Sequence, residues 1–194
     1  MSLVVAIKNL DTIVVASDTN VTAHQPGSYG QLMALPNHCV LLMAGNIEAV
    51  RQTITATVLP RVTSSLSAAG LADLLRAALT LELVPKLNQL KGRVELIVAG
   101  IDPVRHAHQP DLYYFDSAQE FNLKIVQGDT VAAGATATAA GLLAGHNYTE
   151  MSAEQIKLLA KECLSTTKMR WPTALGNHVA LGVVTPENTR VEVI

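Results

Sequence analysis

The stretch LVVAIKNLDTIVVA, residues 3–16, decides which fold class this sequence predicts. Residues 3–8 and 12–16 are apolar and largely β-branched, and a three-residue connection with the turn formers Asn9 and Asp11 separates them. Two such runs with a short connection are typical of an antiparallel β-hairpin. The chain is therefore predicted to open with a hairpin.

A second pair of strands is predicted at residues 31–35 and 39–43, with a turn over residues 36–38. The polar segment between the two pairs contains the turn signal Pro26-Gly27. Both pairs are linked directly, without a helix between the paired strands. Antiparallel pairing is the arrangement that such short connections allow.

The periodicity changes after Gly45, where a pair of helices is predicted. Asn46 is a plausible N-cap, and the apolar residues that follow recur at three and four residues as far as residue 66. Gly70 separates this helix from a second one, which Pro85 should kink or end. The apolar positions of the first helix are Ile47, Val50, Ile54 and Val58.

The second half of the chain repeats this alternation of strands and paired helices. Ser152 followed three residues later by Gln155 is a capping box, which predicts the start of the last helix. Strands are predicted at residues 94–99, 112–115, 122–126, 178–184 and 189–193, and a further helix at residues 135–145.

Strands that come in hairpin-linked pairs argue against a doubly wound parallel sheet, whose strands would be separated by single helices. Paired helices instead cover the outer faces of antiparallel sheets. The prediction is an α+β fold, a four-layer αββα sandwich with two antiparallel sheets between two helix layers. Because no repeat, low-complexity tract or linker interrupts the chain, residues 1–194 are predicted to form a single domain.

Composition excludes several classes of function. The formal net charge is −2, which leaves no basic face for nucleic acid, and no apolar run is long enough to cross a membrane. The sequence shows no signal-peptide pattern, and Cys39 and Cys163 lie in apolar surroundings, so we expect reduced thiols and a cytoplasmic location. Only 15% of the residues are charged, against about 25% in a typical domain, which indicates either a large core rich in Ala and Val or surfaces covered by other subunits.

Three blocks carry a resemblance to a known family. They are Val4-Val5-Ala6-Ile7-Lys8, then Ile13 to Thr19 with Ala16-Ser17-Asp18-Thr19 at its end, then Leu42-Met43-Ala44-Gly45-Asn46. Their order and spacing resemble the proteasome β-subunit and its bacterial relatives in the N-terminal-nucleophile hydrolase superfamily. Later, Ala132-Ala133-Gly134 resembles the glycine turn that leads into the third helix of that family. The resemblance implies the sandwich fold predicted above.

The resemblance also implies an active site. In that superfamily the side chain of the first residue of the mature chain attacks a carbonyl, and its own α-amine accepts the proton. The nucleophile position falls on Ser2, which removal of Met1 would expose. Asp18 would orient the site, and the backbone N–H of Gly45 would stabilise the oxyanion.

Several family positions carry other residues here. The catalytic lysine falls on or near Gln31, and no lysine occurs between Lys8 and Lys86. Glutamine carries no charge and cannot shift a pKa by Coulomb attraction. A supporting serine falls on Ala135. An aspartate and a further serine of the family fall near Trp171 and Ala174.

These departures imply a weak or non-catalytic proteasome-like subunit that self-associates into a ring or other homo-oligomer as a scaffold. The alternative is an active peptide or amide hydrolase that uses Ser2. No cofactor or metal is predicted, because no phosphate loop, HExxH or CxxC motif occurs. His106 and His108 are expected to lie in a solvated loop, since no third metal ligand is nearby.

Overall fold

The computed structural model describes residues 2–19, 28–102, 109–173 and 175–194. The strands are β1 (Leu3–Lys8), β2 (Ile13–Thr19), β3 (Ser28–Tyr29), β4 (Leu32–Leu35), β5 (Cys39–Gly45), β6 (Val94–Ile101), β7 (Pro110–Asp116), β8 (Lys124–Ile125), β9 (Thr130–Gly134), β10 (His178–Val184) and β11 (Thr189–Val193). The helices are α1 (Glu48–Thr53), α2 (Ala68–Glu82), α3 (Thr136–Leu143) and α4 (Ala153–Arg170).

The strands form two sheets. Sheet A has the order β11-β10-β2-β1-β9, and sheet B has the order β3-β4-β5-β6-β7-β8. Every pair of neighbouring strands is antiparallel. The predicted α+β sandwich of two antiparallel sheets is therefore confirmed.

Three apolar cores separate the four layers. One packs α1 and α2 on sheet B, a second fills the space between the sheets, and a third packs α3 and α4 on sheet A. Strand β1 contributes to two of them, because Val4 and Ala6 face sheet B while Leu3 and Val5 lie beneath the helices. Burial on both faces explains why this strand is a continuous apolar run without polar alternation.

The opening hairpin is as predicted. Residues of β1 and β2 pair in a register that sets Val4 opposite Ser17, and the Asn9 side-chain oxygen accepts hydrogen bonds from the backbone N–H groups of Asp11 and Thr12. This Asx-type turn fixes the register. The register in turn brings the chain just before β1 beside the end of β2, and this juxtaposition creates the candidate site.

The first helical region differs from the prediction of one helix over residues 46–66. After α1 the helix widens into a π-helical turn (Ile54–Val58), then narrows into a 3-10 turn (Leu59–Arg61) and ends there. Pro60 lies in that last turn, which cannot continue as a regular α-helix. The N-cap is Ile47 instead of Asn46, because the Asn46 side chain donates a hydrogen bond to the carbonyl of Lys91.

Three further elements differ from the prediction. Helix α2 begins at Ala68 and includes Gly70, because the Ser67 hydroxyl caps it by accepting a hydrogen bond from the Gly70 N–H. Strands β3 and β9 were not predicted from the sequence.

The turn signal Pro26-Gly27 lies outside the described residues. The capping box of α4, Ser152 with Gln155, is confirmed.

Both cysteines are buried and free. Burial raises the pKa of Cys39 to about 12, with the charges of Asp102 and Asp111 adding to the effect, and burial raises the pKa of Cys163 to about 11. Such thiols carry almost no thiolate at neutral pH and are poor nucleophiles. Among the described residues, no helix has both the length and the apolar character needed to cross a membrane.

Candidate active site

Ser2 lies at the start of β1, and its side chain enters the space between the two sheets. Only 3% of the residue is exposed. Its Oγ accepts a hydrogen bond of 3.0 Å from the backbone N–H of Gly45, the last residue of β5 in the opposite sheet. The structure therefore brings together two of the three residues predicted for the site.

Two glycines shape the walls around Ser2. Gly45 has φ +91°, and a Cβ there would stand 2.0 Å from the carbonyl oxygen of Arg93. Gly134 has φ +87°, and a Cβ there would stand 2.0 Å from the carbonyl oxygen of Ser2. The same Ser2 carbonyl accepts a hydrogen bond of 2.8 Å from the N–H of Ala135. Both positions need glycine because positive φ and close approach coincide there.

Asp18 lies beside Ser2 at the end of β2 and is 5% exposed. Its Oδ1 accepts a hydrogen bond of 2.6 Å from the N–H of Leu3, and its Oδ2 accepts one of 2.8 Å from the N–H of Gly176. Burial raises the pKa of Asp18, and these two backbone donors only partly offset the rise. Asp18 is thus linked to Ser2 through the backbone of Leu3, whereas Gly45 binds the Ser2 hydroxyl directly.

Gln31 also contacts Asp18. With its carboxamide nitrogen turned towards Asp18, Gln31 donates hydrogen bonds of 2.5 Å to the Asp18 carbonyl and 3.1 Å to the Asp18 Oδ1. The turn that carries Gln31 is anchored by the hydrogen bond from the Met43 N–H to the Gln31 carbonyl. A neutral carboxamide therefore lies against the carboxylate at the position where the family resemblance implies a lysine.

No ion pair involves Asp18 among the residues that the structure describes. Lys8 lies at the opposite end of β1, where its Nζ donates a hydrogen bond of 3.2 Å to the carbonyl of Pro110. Its position excludes it as a substitute for the missing lysine. The described partners of the Asp18 carboxylate are therefore uncharged dipoles.

The other family positions contribute less. Ala135 acts on Ser2 only through its backbone N–H. Trp171 is 46% exposed at the end of α4, where the Arg170 guanidinium lies 6.0 Å from the ring centroid, so it is not a core residue. Ala174, His106 and His108 lie outside the described residues. Within the described ranges, no group of three or more histidine, cysteine or acidic residues could hold a metal ion.

Two residues of the site were missed by sequence reasoning. Gly176 donates its N–H to Asp18 from the segment before β10, and a Cβ there would stand 2.4 Å from the backbone of Thr19. Glu95 accepts a hydrogen bond of 2.9 Å from the N–H of Gly134. The sequence carries one signal for Glu95, since it is the only charged residue in the apolar strand VELIVAGI.

Two of the described cavities lie on the helix side of sheet A, whereas another lies beside sheet B at Arg93 and Ser117. A cavity of about 110 Å³ is bounded by Asp18, Leu175 and Gly176, between α4 and β10. A larger one of about 610 Å³ lies between α4 and strands β10 and β11, and neither Ser2 nor Asp18 lines it. Hydrogen-bonding chemistry identifies the candidate site better than cavity size does.

Comparison with solved structures identifies the architecture. The chain superposes on a mutant of Anbu from Hyphomicrobium sp. strain MC1 with a TM-score of 0.76, covering 100% of this chain and 87% of the Anbu chain. The chain has the Anbu fold. Sequence identity is 17%, so the similarity establishes the fold alone. No protein-family model matches the chain, and no curated protein matches it either.

Proposed function

We propose that this chain is a proteasome-like subunit of the N-terminal-nucleophile type that self-associates into a ring or other homo-oligomer and is weak or inactive as a hydrolase. Support for the type of subunit comes from the fold shared with Anbu, a bacterial proteasome-like subunit. Support for weak activity comes from one observation, the carboxamide of Gln31 against the Asp18 carboxylate.

The chemistry of an N-terminal nucleophile explains why this observation matters. The α-amine must be neutral to accept the proton of the hydroxyl. The Asp18 carboxylate binds the N–H of Leu3, one residue from the amine that Ser2 would present. A unit negative charge about 5 Å from an ammonium stabilises it by about 3 kcal/mol at an effective dielectric constant of about 20, or about two pKa units.

A lysine beside Asp18 would offset that effect, because its charge has the opposite sign. The carboxamide of Gln31 donates hydrogen bonds but brings no net charge. An ionised Asp18 therefore favours the protonated amine, which cannot act as a base. We expect hydrolysis at neutral pH to be slow for this physical reason.

Self-association has its own support. Only 15% of the residues are charged. Leu158 and Met169 are 66% and 82% exposed, and their spacing of eleven residues places them on the same side of α4. Trp171 follows at the end of the same helix and is also exposed. These apolar side chains, together with the low charge content, support a surface on α4 that a second subunit covers.

A second candidate function is hydrolysis of peptides or small amides by Ser2. The observation in its favour is the hydrogen bond of 3.0 Å from the Gly45 N–H to the Ser2 hydroxyl, which places a potential oxyanion donor beside the potential nucleophile. The sandwich and the Asp18 carboxylate fit this reading as well. The two candidates differ in whether Ser2 forms a covalent adduct.

Native mass spectrometry after incubation with a β-lactone or a peptide epoxyketone tests both parts. The sample is the chain with Met1 removed, and Ser2→Ala is the control. We expect an oligomer of identical chains without adduct. A monomer at micromolar concentration would contradict the scaffold role, and an adduct that disappears in Ser2→Ala would establish the hydrolase instead.

A further inference from the structure

Glu95 is a buried carboxylate on β6 whose surroundings differ from those of an ordinary strand residue. It is 7% exposed, and it shares the face of Ile97 and Ala99, which point into the core between the sheets. Burying an acidic side chain is costly unless its charge is compensated. Its contacts therefore indicate what the residue does.

Both carboxylate oxygens of Glu95 are used. Oε2 accepts the hydrogen bond of 2.9 Å from the Gly134 N–H. Oε1 accepts a hydrogen bond from the hydroxyl of Tyr114 and lies 3.2 Å from Nη2 of Arg93. The same guanidinium binds Asp116 through two bonds of 3.0 and 2.7 Å. Glu95 thus links a charged cluster on sheet B to a single backbone amide on sheet A.

That amide occupies a special place. Gly134 ends β9, which is an edge strand of sheet A, so an N–H on its outer side has no neighbouring strand to bind. The next amide along, the N–H of Ala135, donates to the Ser2 carbonyl. Consecutive backbone amides therefore bind Glu95 and Ser2.

We propose that Glu95 is a positioning residue for Ser2, because its carboxylate holds the Gly134 turn from which Ala135 binds the Ser2 carbonyl. That Glu95 belongs to an active site rests on the proposed function of Ser2. That Glu95 fixes the position of Ser2 does not depend on that function. Glu95 touches neither the Ser2 hydroxyl nor the Asp18 carboxylate. It acts on Ser2 through the backbone of Gly134 and Ala135. A residue on the opposite sheet thus controls where the first strand begins.

Hydrogen exchange tests the placement without requiring activity. In Glu95→Ala we expect the amides of Gly134 and Ala135 to exchange about tenfold faster or more, because the lost bond is charge-assisted and about twice as strong as a neutral one. Glu95→Gln keeps an acceptor for the Gly134 N–H and should restore slow exchange to within about threefold. Tyr114→Phe keeps the carboxylate and should behave like the wild-type chain within the same factor. Equal acceleration of the β10 amides, or none at Gly134 and Ala135, would overturn the proposal.

A second readout follows the side chain of residue 2. In a Ser2→Cys background we expect Glu95→Ala to change the rate of alkylation by iodoacetamide at least about threefold, with rescue by Glu95→Gln, since thiol reactivity follows its local environment. The buried Cys39 and Cys163 are internal controls for general loosening. Faster alkylation at those two thiols by the same factor would reduce Glu95 to a structural role. If native mass spectrometry finds a monomer while these effects appear, the proposed scaffold fails and the inference stands.

Discussion

Two buried carboxylates flank Ser2, one in each sheet, and they are stabilised in opposite ways. Asp18 in sheet A is bound by backbone N–H groups and by the carboxamide of Gln31. Glu95 in sheet B lies beside the guanidinium of Arg93. Dipoles stabilise the first acid and a full positive charge stabilises the second. Among the described residues, a positive side chain therefore lies on the positioning side of Ser2, whereas dipoles alone bind the carboxylate on the side where the chemistry would occur.

The pKa shifts agree with this contrast. Burial raises the pKa of Asp18. Burial also acts on Asp116, the second partner of Arg93, but the hydrogen bonds from the guanidinium and from the Ala118 N–H hold the pKa of Asp116 below its usual value. A site kept for structure needs stable charges, whereas a catalytic site needs charges matched to proton transfer. Among the described residues, the fixed positive charge in this region therefore lies beside Glu95 and Asp116.

The largest expected effect comes from breaking the link between the two sides. Gly134→Ala places a Cβ 2.0 Å from the Ser2 carbonyl oxygen at φ +87°. We expect the free energy of unfolding to fall by about 4 kcal/mol, from backbone strain together with overpacking against a strand. Urea denaturation measures the loss.

Gly92→Ala is the matched control. Its φ is +101°, but a Cβ there would have no atom within 4 Å. Gly92→Ala therefore has the backbone strain of a positive φ without a steric clash of its Cβ. We expect the free energy of unfolding to fall by about 1 kcal/mol. Equal losses in the two variants would contradict a tight contact between Gly134 and Ser2.

Gln31→Lys should place a positive charge beside Asp18, so that both carboxylates near Ser2 would then lie beside a cationic side chain. If the charge lowers the pKa of the Ser2 amine by about one unit, the neutral fraction rises about tenfold below that pKa. The rate of β-lactone adduct formation on the chain without Met1 should rise by the same factor. Mass spectrometry at a series of pH values measures this rate.

The control for Gln31→Lys is Gln31→Met, which keeps similar length without charge or hydrogen bonds. We expect no gain in adduct formation for the methionine variant. If lysine and methionine gave the same rate, the charge at position 31 would not be what limits the chemistry of Ser2.

The sequence predicted those parts of the fold that local patterns determine. Strand β1 and the hairpin to β2 follow from apolar runs and a turn former, and α4 begins at its predicted capping box. Strand β9 was missed because Val131, Ala132 and Ala133 carry little strand signal, and their pairing with β1 is set by tertiary contact. The first helix region ended early because apolar periodicity does not distinguish an α-helix from the π and 3-10 turns near Pro60.

The candidate site divides in the same way. The resemblance in the spacing of short blocks predicted Ser2, Asp18, Gly45 and Gln31. In the structure Gly45 binds Ser2 and Gln31 binds Asp18. Asp18 is linked to Ser2 through Leu3. Glu95 could not be assigned a partner from sequence, because Gly134 is 39 residues away and lies in the other sheet. Spacing predicts residues on neighbouring strands, whereas contacts between sheets depend on packing.

The smallest expected effect concerns the pH dependence of stability. The pKa of Asp116 is lowered on folding, so its contribution to stability is present above the unfolded value near 3.8 and is lost as pH falls through the folded pKa. The pKa of Asp18 is raised, so the folded state binds its proton more tightly, and this contribution to stability is lost as pH rises from 3.8 through the folded pKa.

Asp116→Asn should therefore flatten the acid side of the stability curve by no more than about 1 kcal/mol, since Arg93 is largely exposed and its charge is screened. Asp18→Asn should flatten the curve above pH 3.8. Urea titrations across this pH range measure both effects, and a change of the same sign in Asp18→Asn and Asp116→Asn would contradict the opposite stabilisation of the two sides of Ser2.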